Sequence, residues 1–342
     1  MTSMSGWDQI VGHEWAIELL QNAIVNQRVG HAYLLTGPDQ IGKTTLAFTF
    51  AQALNCTHLD QGQRPCGQCR SCQLISANRH PDITLVTPEV SERGRLSIKI
   101  DTIRELQAAL SLASYEARFK VAILKRFDTA TNGAANAFLK TLEEPPGDVI
   151  LLLTALDAEG MLPTISSRCR TIALRPMALP LIEGALQTRW AVDSQQSNLL
   201  AHLADGRLGW AVDRVTQADS LVERSAALDQ LALVLDGDLV DRFALADSLS
   251  RQAEALPGLL QTWITWWRDV LLLAWQGESQ NGSAQNGVTN VDRMEQLAQV
   301  AGRWPRANLL DCLKLTREAL WQLERNANTR LVMENLFLAY PG

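Results

Sequence analysis

Two clusters of residues near the N-terminus have the types and spacing that do chemistry. Gly37-Pro38-Asp39-Gln40-Ile41-Gly42-Lys43-Thr44 fits G-x-x-x-x-G-K-[S/T] without a gap. Such glycines let the backbone turn tightly, so that its N–H groups face phosphate oxygens at the start of a helix. Lys43 would reach the β and γ phosphates and the Thr44 hydroxyl would ligate Mg²⁺, with Thr45 next in the same turn. The second cluster is Cys56, Cys66, Cys69 and Cys72, a C-x9-C-x2-C-x2-C pattern. In a reducing compartment such spacing reads as metal ligation before disulfides. Four thiolates leave no open position, so a zinc ion there would be structural; an iron–sulfur cluster is the competing occupant. Cys312 falls on a helical apolar pattern and reads as core.

A P-loop ATPase also needs a carboxylate at the end of a neighbouring strand to hold Mg²⁺. The candidate strand Lys120–Leu124 ends instead in Lys125 and Arg126, and Asp128 lies beyond the strand end. Two cations cannot ligate Mg²⁺ or take a proton from water. They could neutralise phosphate charge, or simply lie in a solvated loop. The residue chemistry therefore predicts nucleotide binding without efficient turnover.

The elements that must position these groups alternate. Strands are expected at His31–Thr36, Asp82–Val86, Lys120–Leu124 and Val149–Thr154. Helices are expected at Lys43–Leu54, Asp101–Ala113 (N-capped by Asp101) and Ala134–Glu143. That alternation implies a parallel sheet covered on both faces. Past Pro176 only helical patterns appear: Leu181–Trp190, Gln195–Ala204, Leu208–Thr216, Asp219–Leu235, Leu239–Ala255, Leu259–Gln276, Val291–Ala301 and Asn308–Asn326. Gly277–Asn290 reads as a flexible polar loop. Trp263 and Trp267, four apart on one helix, read as core or interface rather than as a stacking platform.

The bulk numbers bound the function. The chain has 342 residues, 46% apolar and 20% charged, which suits two or three globular domains. A net charge of −6 argues against holding DNA mainly by its own surface. Met1–Ile10 shows no secretion-signal pattern, and the apolar runs are too short to span a bilayer. The expectation is a cytoplasmic protein with no membrane partner.

Further stretches resemble a known family. Asn136-Ala137-Phe138-Leu139-Lys140-Thr141-Leu142-Glu143-Glu144-Pro145-Pro146 resembles the N-A-L-L-K-T-L-E-E-P-P segment of bacterial clamp-loader subunits, and Ser167-Arg168-Cys169 matches their S-R-C motif. The cysteine module after the P-loop helix looks like theirs. His80-Pro81-Asp82 and Ile100-Asp101-Thr102-Ile103-Arg104 add weaker agreement, and Asn326–Glu334 resembles the end of their collar. The resemblance implies an α/β AAA+ P-loop core with a parallel sheet and zinc module over 1–175, a helical lid over 176–220, and an all-α oligomerisation collar over 221–342. It implies a place in the DNA polymerase III holoenzyme, in a five-subunit ring with gamma/tau and delta subunits. That ring uses ATP to place the sliding clamp on primed DNA. It implies that Val11 and Gly12 line the adenine of ATP or ADP. Arg168 would be an arginine finger acting in trans on a neighbour's γ-phosphate.

Within the family, motor subunits keep an Asp-Glu pair where Lys125 and Arg126 stand here, and a lid arginine where this chain has Gly209, with Arg207 two positions away. Both departures point to the delta-prime branch. The intact P-loop cuts the other way and keeps a gamma-type motor open. A zinc-stabilised, nucleotide-gated scaffold of another complex is the second alternative. No constellation of carboxylates supports polymerase chemistry in this chain itself.

Overall fold

Strand β1 (Ala32–Thr36) follows helix α1 (Glu14–Val25) and is buried at every position. Its side chains alternate between two cores, as a strand covered on both faces requires: Tyr33 and Leu35 face one, Ala32 and Leu34 the other. The computed structural model describes residues 6–90, 96–217, 219–253, 255–276, 287–323, 325 and 327–341. After β1 come α2 (Lys43–Asn55), α3 (Arg70–Ser76), β2 (Ile83–Val86), β3 (Glu89–Val90), β4 (Leu96–Ser97), α4 (Ile100–Ser111) and β5 (Lys120–Leu124). Next are α5 (Asn132–Glu143), β6 (Val149–Ala155), α6 (Pro163–Ser166) and β7 (Arg170–Ala173). Five strands form a parallel sheet in the order β2-β5-β6-β1-β7, while β3 and β4 pair separately and antiparallel. One core takes side chains from α1, α2 and α3, the other from α4, α5 and α6.

The chain divides into two compact units, Met1–Leu181 with Gly206–Gly209, and Ile182–Asp205 with Trp210–Gly342. After β7 every described element is helical: α7 (Leu179–Trp190), α8 (Ser194–Ala204), α9 (Leu208–Thr216), α10 (Asp219–Asp236), α11 (Leu239–Ser250), α12 (Leu256–Gln276), α13 (Met294–Arg303), α14 (Arg306–Leu323) and α15 (Thr329–Ala339), with short 3₁₀ turns between. Trp263 and Trp267 are the largest fully buried side chains of the second unit. The Trp263 indole N–H donates to the Ala227 carbonyl at 2.7 Å, and that of Trp267 to the Tyr340 hydroxyl at 3.0 Å. The tryptophans and Cys312 are therefore interior. Among the described residues no helix is long and apolar enough to cross a membrane.

The structure departs from the expected elements in several places. Strand β7 carries exposed Arg170, Thr171 and Ala173, with only Ile172 facing in, so it lacks the apolar run that marks the inner strands. Lys99, not Asp101, stands at the N-cap of α4; Asp101 lies in the first turn, where it pairs with Arg104 at 3.2 Å. Helix α11 stops at Ser250. Residues 277–286 of the expected polar loop lie outside the described residues. Its last residues are firmly held, because the buried Asp269 carboxylate accepts from the backbone N–H groups of Thr289 and Asn290 at 2.9 and 2.7 Å.

Candidate functional site

Strand β1 lies between β6 and β7, and its next helix, α2, covers one face of the sheet while α6, after β6, covers the other. Strands whose connections part to opposite faces open a crevice at their carboxyl ends, the usual ligand position in such sheets. The glycine-rich loop Gly37–Gly42 sits at that end of β1. Gly37 has φ +138°, and a Cβ there would lie 2.5 Å from the Leu174 carbonyl oxygen, so no other residue fits without backbone movement. Gly42, at φ +109°, is the N-cap of α2. Its helix leaves the first N–H groups without intrahelical partners, which is the electrostatic setting for a phosphate.

Lys43 is buried against this loop. Its Nζ donates to the Gly37 carbonyl and to that of Pro38 at 2.7 Å, and lies 3.9 Å from the Asp39 carboxylate. Burial pushes its ammonium below the ordinary lysine range; Asp39 opposes that fall and Arg126 adds to it. Thr44 is half-buried and Thr45 exposed.

Arg126 turns back over the loop from the end of β5. Its backbone is left-handed at φ +52°, and its N–H donates to the Thr154 hydroxyl, at the end of β6, at 2.9 Å. The guanidinium donates through Nη1 to Asp39 Oδ2 at 2.8 Å, and through Nε and Nη2 to Asp128 at 3.0–3.2 Å. Arg126 is thus tied to the loop through Asp39, whereas Lys125 is exposed, though its charge still adds to the lowering of Lys43.

Other groups brace the same loop. His13 is buried, and its Nε2 donates to the Ile41 carbonyl at 3.2 Å. Burial holds the imidazole below its ordinary value, partly offset by that hydrogen bond and by Glu14. This fixes the preceding Val11 and Gly12, both half-buried, beside the P-loop. From the other side the Gly209 N–H donates to the Gln40 carbonyl at 2.9 Å, and a Cβ at 209 would come within 2.5 Å of that oxygen. The backbone approach explains why glycine, not arginine, occupies this position.

Arg168 is elsewhere. It precedes β7, whose first residue Arg170 is level with Tyr33 near the start of β1. The P-loop leaves the far end of β1. At about 3.3 Å per residue, a five-residue strand separates the two by roughly 16 Å. The Arg168 guanidinium is 37% exposed; Nη2 pairs with Glu143 Oε1 at 2.6 Å and Nη1 donates to the Thr164 carbonyl at 2.8 Å. The remaining N–H groups of its planar fork are left for another acceptor.

The four cysteines converge. Their sulfur atoms all lie within 4.8 Å of one another. A tetrahedral ion with 2.3 Å bonds needs sulfurs about 3.8 Å apart, so the set fits one such ion and leaves little room for several irons. Backbone N–H groups aim at the sulfurs: those of His58 and Cys66 at Cys56, Cys69 at Cys66, and Cys72 at Cys69, over 3.3–3.5 Å. Burial opposes ionisation of Cys69, but donors from Thr57 and Cys72 outweigh it and bring the thiol to about 6. The Cys72 and Cys56 thiols are pushed up, chiefly by burial.

The structure thus gathers Val11, Gly12, Gly37, Gly42, Lys43, Thr44 and Thr45 at one end of the sheet and the cysteines into one cluster, and leaves Arg168 apart from the P-loop. Two partners are invisible in the sequence pattern. Asp39 sits at a variable position of the P-loop pattern, and its pairing with Arg126 spans 87 residues. Glu143 lies inside the segment ending in Glu144-Pro145-Pro146, but nothing in that segment signals its partner.

A family model described as "DNA polymerase III, delta subunit" matches residues 12–178. The chain is 29% identical over 333 residues to the DNA polymerase III subunit delta' of Bacillus subtilis, covering 94% of each chain. It is 39% identical over 165 residues to the delta' subunit of Pseudomonas aeruginosa, 47% of this chain and 46% of that one. With the tau subunit of Bacillus subtilis it shares 29% identity over 78% of its own length, spanning 50% of the tau chain.

Proposed function

We propose that this chain, a relative of the DNA polymerase III delta-prime subunits, works in the clamp loader as a subunit that completes a neighbour's ATP site and hydrolyses little or no ATP itself. The observation that carries this reading is the separation of Arg168 from the chain's own P-loop. An exposed arginine at the far end of β1 cannot reach its own nucleotide, but it can meet one held by an adjacent subunit. There its charge would stabilise the γ-phosphoryl group as it leaves. At its own P-loop the strand-end position that should hold a metal-binding acid carries Arg126, bound to Asp39 and Asp128.

On this reading, residues 1–175 form an AAA+ core, 176–220 a lid and 221–342 a collar through which the chain joins gamma/tau and delta subunits in a five-membered ring. The ring loads the sliding clamp on primed DNA in the cytoplasm. The P-loop binds ATP or ADP as a structural element. Cys56, Cys66, Cys69 and Cys72 hold one structural zinc ion, which the convergence of their sulfurs supports.

The intact P-loop and the likeness to tau favour a second reading, a gamma-type motor. One experiment separates them. The isolated chain is expected to hydrolyse ATP no faster than its Lys43→Ala variant. Added to motor subunits, delta, clamp and primed DNA, it is expected to raise turnover, and Arg168→Ala to assemble without raising it. Hydrolysis by the isolated chain, lost on Lys43→Ala, would instead make it a motor.

A further inference from the structure

A P-loop of this pattern ordinarily takes its nucleotide with Mg²⁺, held by the threonine hydroxyl and a strand-end acid. The donor set here does not fit that ion. Thr44 is in place, but the end of β5 offers Lys125 and Arg126. The nearby carboxylates of Asp39 and Asp128 are both engaged by the Arg126 guanidinium. A divalent cation would have to enter beside Arg126 and Lys43 and strip a carboxylate from a charge-assisted pair.

The same geometry suits an anion. A single carboxylate, Asp39, bridges the two cations, with Oδ2 2.8 Å from Arg126 Nη1 and Oδ1 3.9 Å from Lys43 Nζ. Asp39 is half-exposed, at 52%, and can swing away. The hydrogen bonds of Arg126 to Asp39 and Asp128 use three of its five N–H groups, leaving one on each terminal nitrogen. The guanidinium cannot lose its proton, so it is a permanent charge at this position.

We infer that this P-loop binds a nucleoside di- or triphosphate without a divalent metal, Arg126 taking the metal's part in neutralising the phosphates and Asp39 standing in for them until nucleotide arrives. This rests on the reading that the P-loop binds nucleotide at all. It adds to that reading a specific ligand state, a metal-free polyphosphate, and a residue that selects it. No bond is made or broken; Asp39 is exchanged for a phosphate oxygen on the same two cations.

The test is equilibrium binding of ADP and ATP to the purified full-length chain by calorimetry, in excess EDTA and in excess MgCl₂. The expected affinities agree within about twofold in the two buffers, where a metal-dependent site would lose about tenfold or more in EDTA. In EDTA, Arg126→Ala is expected to weaken ADP by about tenfold, the scale of a lost charge-assisted hydrogen bond. Asp39→Asn, which removes the competing anion, is expected to tighten it severalfold. Binding that needs Mg²⁺, or an Arg126→Ala chain that binds ADP as tightly as the parent, would overturn the inference and leave nucleotide binding standing. If neither nucleotide binds in either buffer, and the parent matches Lys43→Ala, the inference falls together with the nucleotide part of the proposed function. The role of Arg168 would be untouched by that result.

Discussion

The two ends of strand β1 carry opposite arrangements of the same kind of charge. At the carboxyl end Lys43 and Arg126 turn toward the P-loop and are held there by loop carbonyls, Asp39 and Asp128. At the amino end Arg168 is held from behind by Glu143 and the Thr164 carbonyl, and remains accessible. A cation paired with acids of its own phosphate loop serves that loop and what it holds; one that is oriented but left exposed can act on something outside. On the proposed function, that contrast puts this chain's contribution to ATP turnover at the end away from its own P-loop.

The comparison is most exposed at Arg168. Replacing it with alanine is expected to lower turnover at the one neighbouring site it serves by about a thousandfold, the lower range for an arginine finger. Single-turnover hydrolysis in a reconstituted loader checks this. Arg168→Lys is expected to recover little, because a lysine lacks the planar fork that Glu143 and Thr164 orient. Glu143→Gln sharpens the same end. It keeps the shape and removes the charge that fixes the guanidinium, so the neighbour's kcat is expected to fall by roughly tenfold to a hundredfold with KM unchanged. A KM change alone would mean that Glu143 does not position Arg168.

The cysteine module lies at the end of α2 remote from the P-loop and gives a control between the two ends. Metal analysis is expected to find about one zinc per chain, and none in Cys56→Ser. Loss of the ion is expected to open the 56–76 segment to protease. Zinc uptake is expected to strengthen as pH rises, because the buried Cys56 and Cys72 thiols must lose protons to bind. At the P-loop end, Gly37→Ala is expected to cost about 1–3 kcal/mol, read as a lower denaturant midpoint, because φ +138° and the Leu174 oxygen leave no room for Cβ.

The smallest effect concerns His13. An imidazole held below its ordinary value stays neutral in the fold and takes up a proton on unfolding. Its contribution is therefore full above about pH 6.5 and is lost as pH falls through its lowered folded value. His13→Gln is expected to flatten the acid side of the stability profile. An unchanged profile would assign that slope to other groups.

Much of this was legible in the sequence, and the limits have physical causes. The inner strands announce themselves because both faces are buried, so Lys120–Leu124 and Val149–Ala155 read as apolar runs. Edge strand β7 is covered on one side only and carries no such run. The P-loop and the cysteines were readable because their geometry is local, set by spacing along a turn. The Asp39–Arg126 and Glu143–Arg168 pairs depend on the order of strands across the sheet, which spacing does not encode. Gly209 stood out in sequence as a missing arginine; only the backbone approach to Gln40 supplies the reason.

The most direct test sets the two ends of β1 against each other in one assembly. Loaders are reconstituted with motor subunits, delta, clamp and primed DNA, using the parent chain, its Lys43→Ala form or its Arg168→Ala form, and ATP turnover is measured once assembly is verified. The expected result is a large loss with Arg168→Ala and little change with Lys43→Ala. A large loss with Lys43→Ala and none with Arg168→Ala would contradict the account and make this chain a motor that uses its own P-loop.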